Sequence, residues 1–266
     1  MIRLHLFELE DQSWLPSVFR NFITDHLHFS QNLPFWYPIN LAIAQSLKDI
    51  LERSNTRRII DLCSGAGGSL EVLSHIFFDV FSFPVEILLT DLFPNIPGIK
   101  RIEEKTGGRI KGHIEPMSAL DVPRELDGVR TLFSAFHHFK PEEARLVILD
   151  VVRKRASVAV YELGSRSPLI VLLNPIRCFL RAFFLTPMVG NFTFIRFLFT
   201  YVIPLAPAIL MWDAFVSTLR LYTPDELLSI ATSVESDGYV WKSGKLTIRG
   251  PLRLPVFITY LTGYPQ

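Results

Sequence analysis

The stretch from Arg58 to Ser69 constrains this chain more than any other. Ile59, Ile60 and Leu62 form a short apolar run, as expected of a parallel strand covered on both faces. Gly65, Gly67 and Gly68 follow at once. Glycine permits positive φ and lets a ligand reach the backbone without meeting a Cβ. Leu70, Leu73, Ile76, Phe77 and Val80 then repeat at helical spacing. The stretch therefore predicts a buried strand, a tight turn and a helix start. Free N–H groups at such a helix start favour negative charge. In open α/β sheets this crevice is the usual nucleotide or cofactor site.

The segments that follow fit a sheet built around that strand. Val85 to Thr90 reads as the second strand, with Asp91 at its end. An acid about 20 residues beyond a glycine turn can accept hydrogen bonds from ribose hydroxyls. The competing reading has Asp91 capping the turn Leu92-Phe93-Pro94-Asn95. Gly112 to Ile114 is the candidate third strand, Arg130 to Ser134 the fourth and Ser157 to Tyr161 the fifth. Pro141 opens a helix whose first turn carries Glu142 and Glu143, as the helix dipole favours. Strand and helix thus alternate from 58 to 163, the signature of a parallel sheet with crossover helices. Thr223-Pro224-Asp225-Glu226 predicts a helix start with a capping box. Tyr239–Leu246 and Val256–Leu261 read as two closing strands, with Gly250-Pro251 between them.

The glycine turn resembles the first motif of the class I S-adenosylmethionine-dependent methyltransferases, an acid followed by three glycines at alternate positions. Asp61 matches the acid, Gly65 and Gly67 match two glycines, and Cys63 stands where the first glycine is expected. A dinucleotide fingerprint needs a further glycine where Leu70 stands. That leucine disfavours the alternative of a nicotinamide or flavin oxidoreductase. The run Ala135-Phe136-His137-His138-Phe139 after strand four is similar to that of methyltransferases acting on small molecules. Ser118-Ala119 occupies the place of that family's adenine-binding Asp-Ala pair, with Asp121 as the nearest acid.

The resemblance implies an α/β, Rossmann-like fold. Its mostly parallel seven-stranded sheet would have helices on both faces and an antiparallel C-terminal hairpin. It implies S-adenosyl-L-methionine as cofactor. Asp61, Gly65 and Gly67 would hold the methionine end, Asp91 the ribose, and Ser118 with Ala119 the adenine. Cys63, Leu92 and Ser134 complete the set of cofactor-binding candidates. His137 and His138 are the catalytic candidates, because histidine moves protons near neutral pH. The competing reading of both is a pair of packed loop histidines. Residues 1–38 would be an N-terminal lid, with an apolar helix near Trp14 to Leu27 and an irregular aromatic loop at Pro34 to Pro38. The same aromatics could equally pack against the sheet. Residues 39–266 would be the methyltransferase-like domain, beginning with a helix at 39–54.

Composition adds one unusual feature. Of the 266 residues 49% are hydrophobic and 22 are Phe, and the excess gathers at 164–212, a hydrophobic helical insertion. That segment holds no Asp or Glu, and its charges are Arg166, Arg177, Arg181 and Arg196. Its longest uncharged run, Phe197 to Trp212, is short of the roughly 17–20 residues a spanning helix needs. It would therefore roof a hydrophobic pocket, or lie at a membrane surface with its arginines on headgroups, or simply add core. Either of the first two points to a small, hydrophobic or lipid-like acceptor. The net charge of +1 gives no reason to expect nucleic acid. Cys63 and Cys178 form neither a disulfide framework nor a zinc motif, so no metal is expected. Glu8, Glu10 and Asp11 so near the start do not suit a secretory signal, which makes cytoplasmic, with peripheral membrane contact through 164–212, the expected location. A non-catalytic protein that keeps the fold for membrane or partner binding is the remaining alternative.

Overall fold

In the computed structural model, residues 1–190, 192–249 and 255–266 are described. Seven strands form one sheet: β1 (Arg58–Leu62), β2 (Glu86–Thr90), β3 (Ile110–Gly112), β4 (Val129–Phe133), β5 (Val158–Leu163), β6 (Tyr239–Arg249) and β7 (Pro255–Pro265). Their order is β3-β2-β1-β4-β5-β7-β6. The first five run parallel, and β7 is antiparallel to both β5 and β6. The order reverses between β1 and β4. That switch point is where an open sheet leaves a crevice at the carboxyl ends of its strands.

Alternation along β1 explains the layers. Ile59 joins the core on one face, with Leu47 and Leu51 of α2 (Tyr37–Arg53) and Leu70 and Leu73 of α3 (Leu70–His75). Ile60 and Leu62 point the other way, toward Val147 and Val151 of α5 (Pro141–Arg153) and Leu227 of α9 (Pro224–Thr232). Successive strand residues face opposite sides, so one run of isoleucines feeds two cores. The capping box forms as expected. Thr223 Oγ1 accepts from Glu226 N at 3.2 Å, and Glu226 Oε2 accepts from Thr223 N at 2.8 Å.

Several boundaries differ from those read in the sequence. The third strand is earlier than expected, because Ile110 is fully buried whereas Ile114 is exposed. The first helix, α1 (Ser17–Gln31), begins after Trp14, which stays exposed. Pro34–Trp36 is a single 3-10 turn that feeds directly into α2. The turn proposed at Gly250-Pro251 lies outside the described residues.

The insertion folds as α6 (Pro168–Leu185), a 3-10 turn at Thr186–Met188, the short α7 (Phe194–Phe197) with a π-helical continuation to Val202, and α8 (Leu205–Arg220). Pro168–Met188 is 21 residues long, with a hydropathy of 1.7 and only 17% of the window buried, so it is long and apolar enough to cross a bilayer. The uncharged-run count missed it because Arg177 and Arg181 interrupt it. Ala182 of α6 packs with Ile209 and Leu210 of α8 and with Phe22 and Ile23 of α1, making a third, smaller core beside the crevice. The remaining helix, α4 (Ile96–Lys105), covers the sheet between β2 and β3.

Candidate active site

The glycine turn begins with a non-glycine residue in a left-handed conformation. Cys63 has φ +57, followed by Gly65 at +55, Gly67 at +89 and Gly68 at +46. The first position thus adopts the backbone expected of a glycine while carrying a side chain, a strained state for an ordinary residue. The glycines are needed here for packing as well as for conformation. A Cβ on Gly65 would meet Thr24 Cγ2 at 2.8 Å, and one on Gly67 would meet Ile102 Cδ1 at 2.8 Å. So the close approach at these two positions is made by the chain's own side chains. From α1, His28 Nδ1 and Asn32 Nδ2 lie 2.9 and 2.7 Å from Gly68 O. This helix closes over the turn.

Asp61 lies at the bottom of the turn and is buried. Its Oδ1 accepts from Thr131 Oγ1 at 2.6 Å. Burial pushes its carboxyl up to about 7; the Thr131 bond opposes that shift and the nearby Asp91 adds to it. Asp91 spans two loops. One oxygen accepts from Gly65 N and the other from Phe93 N, both at 2.7 Å. The turn-capping alternative is therefore present in the structure, and the same carboxylate also joins β2 to the glycine turn. Leu92 beside it is half exposed.

Met117 N donates to Asp91 O at 2.8 Å, which brings Ser118 and Ala119 alongside. Both line the cavity described below. Asp121, the alternative acid, turns away: it is exposed and bonded to Lys154 Nζ at 2.7 Å. Ser134 ends β4 at φ +49. Its N–H donates to Tyr161 O at 2.7 Å.

The two histidines, equivalent in the sequence, are held differently. His137 is buried, with Nδ1 2.8 Å from Glu162 Oε2, while its N–H donates to Glu162 Oε1 at 3.0 Å. Its Nε2 faces Glu8 Oε1 at 3.7 Å, beyond hydrogen-bond reach. His138 Nδ1 lies 2.7 Å from Asp11 Oδ1, and its Nε2 lies 3.6 Å from Glu10 Oε1. Burial alone would lower the His138 pKa, but Glu8, Asp11 and Glu10 overcome it and hold the imidazole well above its usual range. Glu10 moves the opposite way to an ordinary carboxylate: burial raises it, and Asp213 and Glu8 add to the effect that His138 opposes. Arg220 closes the network, with Nη1 2.8 Å from both Glu8 and Asp11. Glu8, His137 and His138 each offer a metal-ligand atom within 4.8 Å of the others, but here Glu8 is salt-bridged to Arg220 and His138 Nδ1 is bonded to Asp11.

Most of these groups border one cavity of about 860 Å³, large enough for a drug-sized ligand, whereas Asp61, Gly67 and Glu162 lie behind its wall. Cys63, Gly65, Asp91, Leu92, Ser118, Ala119, Ser134, His137 and His138 all border it. So do the N-terminal residues Phe7 and Glu8, Ile170, Asn174 and Cys178 of α6, and Leu210 of α8. Sequence reasoning missed Glu8, Glu10, Asp11, Asp213 and Arg220, whose partners come from opposite ends of the chain. Glu162 carried a usable signal: an acid in an otherwise apolar, buried strand must find a polar partner. The insertion's arginines differ in their surroundings, Arg177 being exposed. Arg196 is bound to Asp25 and donates to Val189 O at 2.7 Å, and Arg177 and Arg181 line the cavity.

No protein-family profile matches the chain, and no curated protein matches it either. Solved structures do. The plantazolicin methyltransferase BpumL, crystallised with a triazolic desmethylPZN analog and SAH, superposes with a TM-score of 0.55 at 11% identity, covering 94% of this chain and 96% of that one. The methyltransferase domain of bacterial CtHen1 gives 0.46 at 15% identity, covering 82% and 96%. The fold assignment rests on the first of these. The chain has the class I methyltransferase fold, with a mostly parallel seven-stranded sheet and a closing antiparallel pair.

Proposed function

We propose that this protein is an S-adenosylmethionine-dependent methyltransferase acting on a small, hydrophobic or lipid-like acceptor. One observation carries the reading: Cys63, Gly65 and Gly68 of the glycine turn, Asp91, Ser118-Ala119 and His137, backed by Glu162, border a single cavity whose roof includes Ile170, Leu210 and Ala214. Asp61, Cys63, Gly65 and Gly67 would hold the methionine end of the cofactor. Asp91 and Leu92 would hold the ribose side, Ser118 and Ala119 the adenine, and Ser134 the cavity wall between cofactor and acceptor. When bound, S-adenosylmethionine supplies an electrophilic methyl group on a sulfonium. The chain aligns the nucleophile with that methyl and excludes water.

His137 is the residue to accept a proton from a hydroxyl or amine acceptor. A base must be neutral, and Glu162 on Nδ1 keeps that nitrogen protonated, leaving Nε2 as the acceptor. The Glu162 and Glu8 carboxylates would stabilise the imidazolium that forms. His138, already held charged by its carboxylates, would order the N-terminal wall. Residues 1–38 would act as a lid, because Glu8, Glu10 and Asp11 reach the histidines from it.

Titration of the protein with S-adenosylhomocysteine, beside Asp91→Ala and Asp91→Asn, tests the cofactor assignment. Tight binding that Asp91→Ala weakens by about tenfold or more and Asp91→Asn by less is expected, a loss typical of a hydrogen bond to a charged group. No binding by folded wild-type protein would overturn it.

A second reading is favoured by the outer side of the insertion, where Leu172, Phe184 and Phe194 are 65%, 68% and 75% exposed. Such a face suits a cytoplasmic protein resting on a membrane. It is compatible with catalysis. Alone, without S-adenosylhomocysteine binding, it would make the protein a non-catalytic membrane or partner binder.

A further inference from the structure

Helix α6 has two unlike sides. Leu169, Leu172, Leu173, Ile176, Leu180 and Phe184 are exposed on one. Ile170, Asn174, Arg177, Cys178 and Arg181 border the cavity on the other, at the three- and four-residue spacing that stacks side chains on one helix face. Two guanidinium groups therefore stand one turn apart on a wall shared with Ile170, Asn174 and Cys178, Arg177 exposed at its rim and Arg181 half-buried.

Other arginines around this site are answered. Arg220 pairs with Glu8 and Asp11, Arg166 with Glu226 at 2.8 Å, and Arg196 with Asp25. Arg20 donates to the carbonyls of Glu10 and Gln12 at 3.1 and 2.7 Å. Arg177 and Arg181 differ. Among the described residues neither has a carboxylate partner. The one polar contact of either is a weak approach of Arg181 Nη2 to Cys178 Sγ at 3.6 Å. No acid exists between Gly164 and Trp212 to supply one locally. The charge of Arg181 is felt nearby: burial, followed by Arg181 and Arg196, pushes His26 down to about 3. At the histidine end the acids are already taken up by His138, Arg220 and backbone N–H groups.

We propose that Arg177 and Arg181 recognise an anionic group, a carboxylate or phosphate monoester, on an otherwise apolar acceptor whose tail lies against the insertion. Two guanidiniums on adjacent turns suit either anion, because each presents a planar fork of donors matched to its oxygens. Ile170, Leu210 and Ala214 supply the apolar wall for the rest of the molecule. Two like charges at this spacing repel on a bare helix, and a bound anion relieves that repulsion. This inference names the acceptor class for the methyltransferase reading and rests on it.

The test is calorimetric titration with dodecanoate, dodecyl phosphate, dodecanol and dodecylamine, each below its micellar concentration, with and without saturating S-adenosylhomocysteine. The proteins are wild type, the double variant Arg177→Gln/Arg181→Gln, and the double variant Arg177→Lys/Arg181→Lys. The two anions should bind about tenfold or more tighter than the alcohol, as charge-assisted bonds do. The Gln variant should lose that preference and the Lys variant should keep part of it, while both bind S-adenosylhomocysteine like wild type. Equal affinity for anion and alcohol, or a preference that survives in the Gln variant, would overturn the proposal. Sedimentation with phosphatidylglycerol vesicles separates the two sources of anion. If the Gln variant loses vesicle binding while the monomeric amphiphiles show no preference, the arginines serve bilayer headgroups and the proposal fails. Absence of S-adenosylhomocysteine binding would instead count against the methyltransferase reading, and the titrations without it would still report the anion preference.

Discussion

Asp61 is an acid placed where water hardly reaches it, 2% exposed under the glycine turn. Burial raises its pKa to about 7 from the usual 3.8. The unfolded chain gives up this proton near pH 4 and the folded chain only near pH 7. Its contribution to stability is therefore full below pH 4 and is lost as pH rises toward 7, by an amount on the order of a few kcal/mol. Asp61→Asn should make the protein relatively more stable at pH 8 than at pH 5 when both proteins are compared by urea unfolding. Identical pH slopes would show that Asp61 titrates normally. Some slope should persist in the variant, because burial also lifts Asp213 to about 7. The histidines divide in the same way, by partner and not by type. With an acceptor that needs deprotonation, His137→Gln should lower kcat by about 10²-fold or more and leave S-adenosylhomocysteine affinity unchanged. His138→Gln should chiefly lower thermal stability, since it leaves Glu10 without its facing cation and Glu8 and Asp11 with Arg220 alone. Equal kcat losses from the two variants would remove the distinction.

Helix α6 shows how one element can serve two surfaces. A helix that is apolar nearly all round is ordinarily buried, yet only Pro175, Cys178 and Ala182 of α6 are. Met188, Phe192, Ile195, Val202 and Ile203 of the segments that follow are exposed as well. An exposed apolar surface this extensive marks an interaction site. On the membrane reading these apolar side chains would enter the acyl layer, while Arg196 is held by Asp25. Leu172→Glu/Ile176→Glu/Phe184→Glu should therefore release the protein from phosphatidylglycerol vesicles in a pelleting assay, with S-adenosylhomocysteine affinity intact. Undiminished pelleting would leave this face without a role at the membrane. Charge reversal at Arg196 would not test the same idea, since it would place a second carboxylate beside Asp25.

Across the whole molecule, legibility tracks sequence distance. The turn from Asp61 to Gly68, the Thr223–Glu226 capping box, the parallel strands and the closing pair of strands were readable because each is specified by neighbours: an apolar run, glycines that adopt positive φ, a cap three residues from its partner. The boundaries that slipped, at β3 and at the first helix, slipped where burial and not pattern decides the end. The glycine-turn side of the cavity was readable in the sequence and the histidine side was not. His137 and His138 are adjacent and chemically identical in the sequence, and they diverge only because Glu162 reaches one from β5 and Asp11 reaches the other from the N-terminus. Likewise 164–212 announced an apolar insertion, but which face of α6 meets the cavity depends on its packing against α8 and α1. By itself, then, the sequence determined the strands, the glycine turn and the order in which they are joined, because backbone preference and periodicity act over a few residues. Only the tertiary structure decided which carboxylate each histidine meets and where the arginines lie, because those depend on groups far apart in the chain meeting around one cavity.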